Sequence, residues 1–221
     1  RAYSIVRRKL YDPKLRKRRG RSMFVDTQFS SWCQLKDVPN DCYLMGNWQT
    51  ESYFKNFQEV IRDDFSFRFL PDGLNVTLVN QISKVAAISL HVRRGDYVAN
   101  PSSLAFHGLC SLDYYRRAIN YISDRVDNPV FYIFSDDILW ARENLQLKHP
   151  CHYIKHNKGI ESYNDMRLMS QCQHHIIANS SFSWWGAWLN PREDKIVIAP
   201  QAWVLGDFDT SDIVPDAWVQ L

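Results

Sequence analysis

Apolar and polar positions fall into two rhythms along this chain, with the change near residue 82. Downstream of it, short apolar runs alternate with stretches whose apolar residues recur every three or four positions. Residues 85–92 are apolar enough for a strand buried on both faces. Ser111 then stands where a helix would be capped, with Leu112, Tyr115, Ala118, Ile119 and Ile122 on the inner face. A second strand over 130–134 precedes a helix over 138–145, and 151–154 reads as a short third strand. Ser162 and Asp165 have capping-box spacing for a helix running to about Gln173. Residues 176–178 read as a strand, 183–189 as a helix stopped by Asn190-Pro191, and 196–199 as the last strand. This alternation predicts an α/β fold with a doubly wound parallel sheet. Upstream, Tyr53, Phe57, Val60 and Ile61 have roughly helical spacing, and Pro71-Asp72-Gly73 breaks the pattern before another helical stretch. The expected organisation is a partial N-terminal domain over 1–82 and a Rossmann-like domain over 83–221.

Composition narrows the class. The chain is 45% hydrophobic and 14% aromatic, which fits a folded domain and not a disordered one. No apolar run is long enough to span a bilayer, and the basic opening does not resemble a secretory signal. The net charge of +3 is uneven: residues 1–22 carry ten basic groups against Asp12 alone, so the remainder is acidic. An acidic body argues against nucleic-acid binding. The basic segment reads as a solvated stretch, with peripheral contact to an anionic membrane as the alternative. Five widely spaced cysteines, with no Cys-x-x-Cys pair, suggest free thiols and a cytoplasmic setting, at the inner membrane face if the basic segment binds lipid. The sequons at Asn75 and Asn179 read as chance occurrences.

Chemistry concentrates where the strands end. The first strand runs into His91-Val92-Arg93-Arg94-Gly95-Asp96, the second into Ser135-Asp136-Asp137, and a later one into Asn179-Ser180-Ser181-Phe182-Ser183. Open α/β sheets bind ligands outside the carboxyl ends of their strands, so these clusters are expected to line one crevice. His91 and Arg93 share a strand face, and Gly95 would let the backbone turn to bring Arg94 round. Two guanidiniums with permanent charge and planar donor forks suit a diphosphate; a structural Arg–Asp96 pair is the plainer alternative. The serines would leave a helix start facing an anion, with one of them capping it. Trp184, Trp185 and Trp188, at helical spacing, read as core. Asp207-Phe208-Asp209 reads as a turn, not a metal-binding pair, and His174-His175 as a helix end, so no metal is expected.

These runs carry a family resemblance. His91-Val-Arg-Arg-Gly-Asp-Tyr97, Phe134-Ser-Asp-Asp137 with Trp140-Ala-Arg-Glu-Asn144, and Ala178-Asn-Ser-Ser-Phe-Ser-Trp-Trp-Gly-Ala-Trp-Leu189 resemble the bacterial alpha-1,2-fucosyltransferase family. Tyr43-Leu-Met-Gly-Asn-Trp-Gln49 and Ile61-Arg-Asp-Asp-Phe65 resemble its middle region, so the likeness covers about 40–204. The resemblance implies a GT-B-type glycosyltransferase with a complete C-terminal Rossmann-like donor domain. It implies GDP-fucose as donor, no cofactor or metal, inversion at the fucose anomeric carbon, and a glycan acceptor taking fucose on a 2-hydroxyl, commonly of galactose. Arg93 and Arg94 would hold the diphosphate, and Asp136 with the Asn179–Ser183 loop would contact the nucleotide. Asp96, then His91, are the candidates for general base, with Asp96 equally able to brace the arginines. Family members open with a strand and a Gly-Gly-Leu-Gly-Asn-Gln turn that is missing from this sequence, which implies a truncated acceptor domain. The competing readings are a non-catalytic GDP-sugar-binding fragment and a transferase for another GDP-sugar.

Overall fold

A computed structural model describes residues 42–46 and 48–221, together with the backbone strand β1 (Met23–Val25). The basic segment 1–22 and Cys33 lie outside the described residues. β1 pairs in parallel with β2 (Tyr43–Met45) as a separate two-stranded sheet. Short 3-10 turns at Glu51–Tyr53 and Lys55–Phe57 lead into α1 (Gln58–Asp64), and α2 (Gly73–Ile82) follows the Pro71-Asp72 break.

The main sheet is six-stranded and entirely parallel. Its strands are β3 (Ala86–Val92), β4 (Pro129–Ser135), β5 (Cys151–Ile154), β6 (His174–Ile176), β7 (Val197–Ala199) and β8 (Val219–Gln220), in the spatial order β5-β4-β3-β6-β7-β8. The chain builds outward from β3 to β5, then crosses back to lay β6 against the other side of β3. That reversal makes the gap between the β3 and β6 tips the topological switch point, and the sheet is Rossmann-like.

The strands are nearly continuous apolar runs because both faces are covered. On one face, Ile88, Leu90 and Val92 meet Phe131, Ile133, Ile176 and Ile198 beneath α5 (Leu112–Ser123) and α6 (Ile138–Asn144). On the other, Ala87, Tyr132, Phe134 and Ile154 pack against Ile82 of α2 and against Leu168 and Met169 of α7 (Tyr163–Gln171). Beside them, Ile177, Val197 and Ala199 meet Trp184 and Trp188 of α8 (Ser181–Trp188), Trp203 and Trp218. Each fully enclosed side chain of this size contributes about 1.5–3 kcal/mol by leaving water. α7 and α8 approach closely at Gly186, where a Cβ would stand 2.9 Å from the Met169 Cβ. The residues flanking α1 also pack here: Phe54, before it, stacks on Trp185 at 5.6 Å, and Phe65, after it, on the same indole at 4.9 Å.

Several sequence expectations shift. His174-His175 belongs to β6 and not to a helix end, because α7 stops at Gln171 and residues 174–176 pair with Ile88–Leu90 of β3. β7 is not the last strand, since the chain returns to add β8. On α5, Ser111 does cap, accepting from the Tyr114 amide at 3.1 Å, but Leu112 is exposed and Tyr114 takes the inner position. Ser162 makes no side-chain cap, because a 3-10 turn (Gly159–Ser162) runs directly into α7. Two short helices, α3 (Gly95–Ala99) and α4 (Pro101–His107), fill a stretch for which the apolar pattern gave no element.

Candidate active site

The register of the sheet brings two of the polar clusters together. Val92 pairs with Ser135, so the residues just beyond them, Arg93 and Asp136, emerge side by side. Arg93 lies between two carboxylates, 2.9 Å from Asp96 and 3.0 Å from Asp136. The second oxygen of Asp136 accepts from the Arg94 amide at 2.9 Å. Gly95 begins α3 without a positive φ, and the reason for glycine here is proximity: a Cβ would fall 2.9 Å from Asp136 Oδ2. The expected sharp turn at Gly95 is thus replaced by close approach of a neighbouring carboxylate.

Arg94 has a different setting. Its guanidinium lies 3.8 Å from the centroid of the Trp140 ring, and its Nε is 3.6 Å from Asp137, beyond hydrogen-bond length. That Nε is enclosed and has no hydrogen-bond partner. Asp137 is itself committed to the backbone. Its carboxylate accepts from the Trp140 amide at 3.2 Å to begin α6, and its own amide donates to the Ser135 hydroxyl at 2.9 Å.

The third cluster lies on the β6 side of the switch point. Leu90 pairs with Ile176, and the chain continues through Ala178 to Asn179, a buried hub. Asn179 Nδ2 donates to the carbonyls of His107 and Trp203 at 2.8 and 3.2 Å, and its carbonyl accepts from the Tyr97 hydroxyl at 3.2 Å. Ser180 stands at the N-cap of α8 but its hydroxyl caps nothing; the Ser183 hydroxyl donates back to the Ser180 carbonyl at 3.3 Å. The expectation that a serine side chain caps this helix is therefore corrected. Ser181 is exposed at the helix start, and Phe182 leans toward His91 with ring centroids 5.8 Å apart.

His91 is enclosed beneath this contact, and its Nδ1 has no partner. Burial, with the Arg93 charge as a smaller contribution, outweighs the pull of Asp136 and lowers its pKa to about 4. Tyr97 and His107, which the sequence pattern did not single out, stack face to face at 4.4 Å beside Arg93. A further polar group lies at the tip of β5. There His156 and Asn157 bond the enclosed Asn75 at 2.9 and 3.0 Å, and Asn157 donates to Asp165 at 2.7 Å. Burial raises the Asp165 carboxyl to about 6. Hydrogen bonds to Asn75, more than 80 residues upstream, join this group, and linear spacing carries no sign of them. The Asp207–Asp209 segment is an exposed loop whose Asp209 accepts from the Ser211 amide at 3.1 Å.

Guanidiniums and a helix start without a side-chain cap, at the switch point of a Rossmann-like sheet, are features of sites that take nucleotide phosphates. Residues 27–221 match glycosyl transferase family 11. The chain belongs to that family. It is 49% identical over 201 residues to the O-antigen biosynthesis glycosyltransferase WbnK of Escherichia coli, covering 88% of this chain and 65% of that protein. To an alpha-1,2-colitosyltransferase of Escherichia coli it is 40% identical over 183 residues, 80% of this chain and 62% of the relative. A galactoside 2-alpha-L-fucosyltransferase of Bos taurus, SEC1, is 31% identical over 103 residues, 46% of this chain and 28% of that protein. The chain thus spans somewhat under two thirds of the length of the two bacterial relatives. Among the described residues no helix is long and apolar enough to cross a membrane.

Proposed function

We propose that the protein transfers L-fucose from GDP-fucose to the 2-hydroxyl of a terminal galactose or a similar sugar, with inversion and without a metal. The observation that carries this reading is the pair Arg93–Arg94 at the β3 tip, across the switch point from the α8 start. In a GT-B-type enzyme this sheet would be the donor domain. The acceptor oxygen attacks the anomeric carbon, the bond from that carbon to the β-phosphate oxygen breaks, and the electron pair leaves with GDP. Charge growing on that phosphate is met by the guanidiniums and by the amides at Ser181, which need no reorganisation as the bond breaks. Asp136 braces both arginines from the protein side in this reading, holding Arg93 by charge and Arg94 through its amide.

The acceptor proton is assigned to Asp96. Its side chain is 57% exposed at the mouth of the crevice, whereas His91 is enclosed and reaches no acceptor. The same carboxylate pairs with Arg93 at 2.9 Å, which holds it beside the guanidinium proposed to take the diphosphate. A second reading, a donor carrying a different GDP-linked sugar, is favoured by the relative named an alpha-1,2-colitosyltransferase.

Calorimetric titration with GDP, followed by turnover of GDP-fucose against a panel of galactose-terminated acceptors, tests the proposal. Tight GDP binding with fucosyl transfer supports it. GDP binding without transfer from any GDP-sugar selects a non-catalytic binding module, and competition by another GDP-sugar at lower concentration selects the second donor.

A further inference from the structure

The two adjacent arginines are held by different chemistry. Arg93 spends its donors on two carboxylates, at 2.9 and 3.0 Å. The Arg94 guanidinium lies against an aromatic face at 3.8 Å, with the Asp137 carboxylate 3.6 Å from its Nε. A guanidinium on a ring face is stabilised without using its in-plane N–H groups, so stacking orients Arg94 while leaving its terminal donors available. The ring is placed by the chain that follows β4. Ser135 fixes the Asp137 amide, and Asp137 caps α6 at the Trp140 amide, which presents the indole to Arg94. The indole also packs against the core beneath α6, so its position is set from two sides.

We infer that Trp140 is a positioning residue: its indole, set in place by Asp137, holds the Arg94 guanidinium toward the crevice and so sets the affinity for the nucleotide diphosphate without touching it. This rests on the reading of Arg94 as a diphosphate ligand. A purely structural tryptophan would support the core equally well whatever stood at position 94, and this difference is open to measurement.

The full chain and the variants Trp140→Leu, Trp140→Phe, Arg94→Ala and Trp140→Leu/Arg94→Ala are titrated with GDP by calorimetry. Urea unfolding confirms that each is folded, and leucine keeps apolar volume at the site without a π face. Loss of the stack is expected to weaken GDP binding about tenfold in Trp140→Leu, and Trp140→Phe should stay within about threefold of wild type. Added to Arg94→Ala, Trp140→Leu should cost nothing further, because the two act through one contact. The Arg94 side-chain proton resonances should also show a ring-current shift in wild type and Trp140→Phe that is lost in Trp140→Leu. Wild-type affinity in Trp140→Leu overturns the role of Trp140 alone, as does an equal loss in both backgrounds or the absence of a ring-current shift in wild type. Failure of the wild-type chain to bind GDP overturns the nucleotide reading and this role with it.

Discussion

Two polar clusters occupy the same strands of this sheet and use similar side chains, yet they differ in how completely they satisfy one another. In mid-sheet, His175 joins Ser89 at 2.7 Å and Asn190 at 2.8 Å, and all three are buried. Asn190 Nδ2 also donates to the Cys172 carbonyl, which fixes it as the amide nitrogen. His175 Nε2 therefore accepts, and Nδ1–H donates to Ser89. Burial keeps this imidazole neutral, with its pKa well below the ordinary value. Two residues further along β3, His91 has an unpartnered Nδ1, and Arg94, just beyond the strand, an unpartnered Nε, both enclosed. A serine and a histidine within hydrogen-bond reach suggest nucleophilic catalysis on paper, but here the closed network is structural. The open one, at the strand tips, retains unspent donors. Satisfaction of the polar groups separates the two clusters better than their composition does.

The sharpest way to break this comparison is to remove charge from the open cluster. Arg94→Ala should lower turnover by about 10²–10³ while leaving the urea midpoint nearly unchanged, because the residue makes no hydrogen bond through its buried Nε. Turnover within a few-fold of wild type, measured in a protein that contains the whole catalytic unit, would remove Arg94 from the site.

Acid should strain both clusters, through histidines that are neutral when folded. His91 titrates near 4 in the folded chain and near 6.5 when unfolded, so between these values the unfolded state binds more protons. Stability is full above about pH 6.5 and falls as pH drops toward 4, by about 3 kcal/mol from this residue. His175 acts in the same direction. His91→Leu should flatten its share of the slope at little cost at pH 7, since it removes a group with an unsatisfied nitrogen. A slope unchanged in His91→Leu would place the titration elsewhere.

Disrupting the closed network should give the opposite profile. Asn190→Ala strands His175 Nε2 and the Cys172 carbonyl, and is expected to cost about 2 kcal/mol in urea unfolding with GDP affinity held within twofold. A loss of GDP affinity larger than the loss of stability would mean that the two clusters are coupled.

Much of this arrangement can be read from the linear chain, and the rest could not have been, for definable reasons. Strands β3 and β4 were visible because both of their faces are buried, leaving long apolar runs. Their polar tips were visible as interruptions of those runs. β6 was misplaced because its first two residues are histidines: His175 is tolerated in the sheet through Ser89 and Asn190, which lie 86 residues upstream and 15 residues downstream. β8 has only two residues and is held by pairing with β7, so it has no local signature. Residue type predicts that one of the serines at 180–183 caps α8, yet the N-cap residue Ser180 makes no side-chain cap. Tyr97 stands four residues beyond the Arg93 it lies beside, and Trp140 three residues beyond the Asp137 that places it. That spacing becomes informative only once the helices that contain them are known.

Gly95→Ala is the mildest change that still separates the two clusters. In a helix, alanine is favoured over glycine by about 1 kcal/mol, and α3 is short and begins at this residue, so global stability should change little. The added Cβ, however, would stand 2.9 Å from Asp136 Oδ2 and 3.1 Å from its Cγ. Asp136 must then rotate away, which breaks the 2.9 Å bond from the Arg94 amide and the 3.0 Å contact with Arg93. The Arg93 guanidinium and the Arg94 backbone would lose their common brace, while the Ser89–His175–Asn190 network would be untouched. GDP affinity is therefore expected to fall about three- to tenfold with an unchanged urea midpoint, a split that calorimetry and unfolding measure side by side. If Gly95→Ala binds GDP as tightly as wild type, the arginines need no brace from Asp136, and its place between them is incidental to the site.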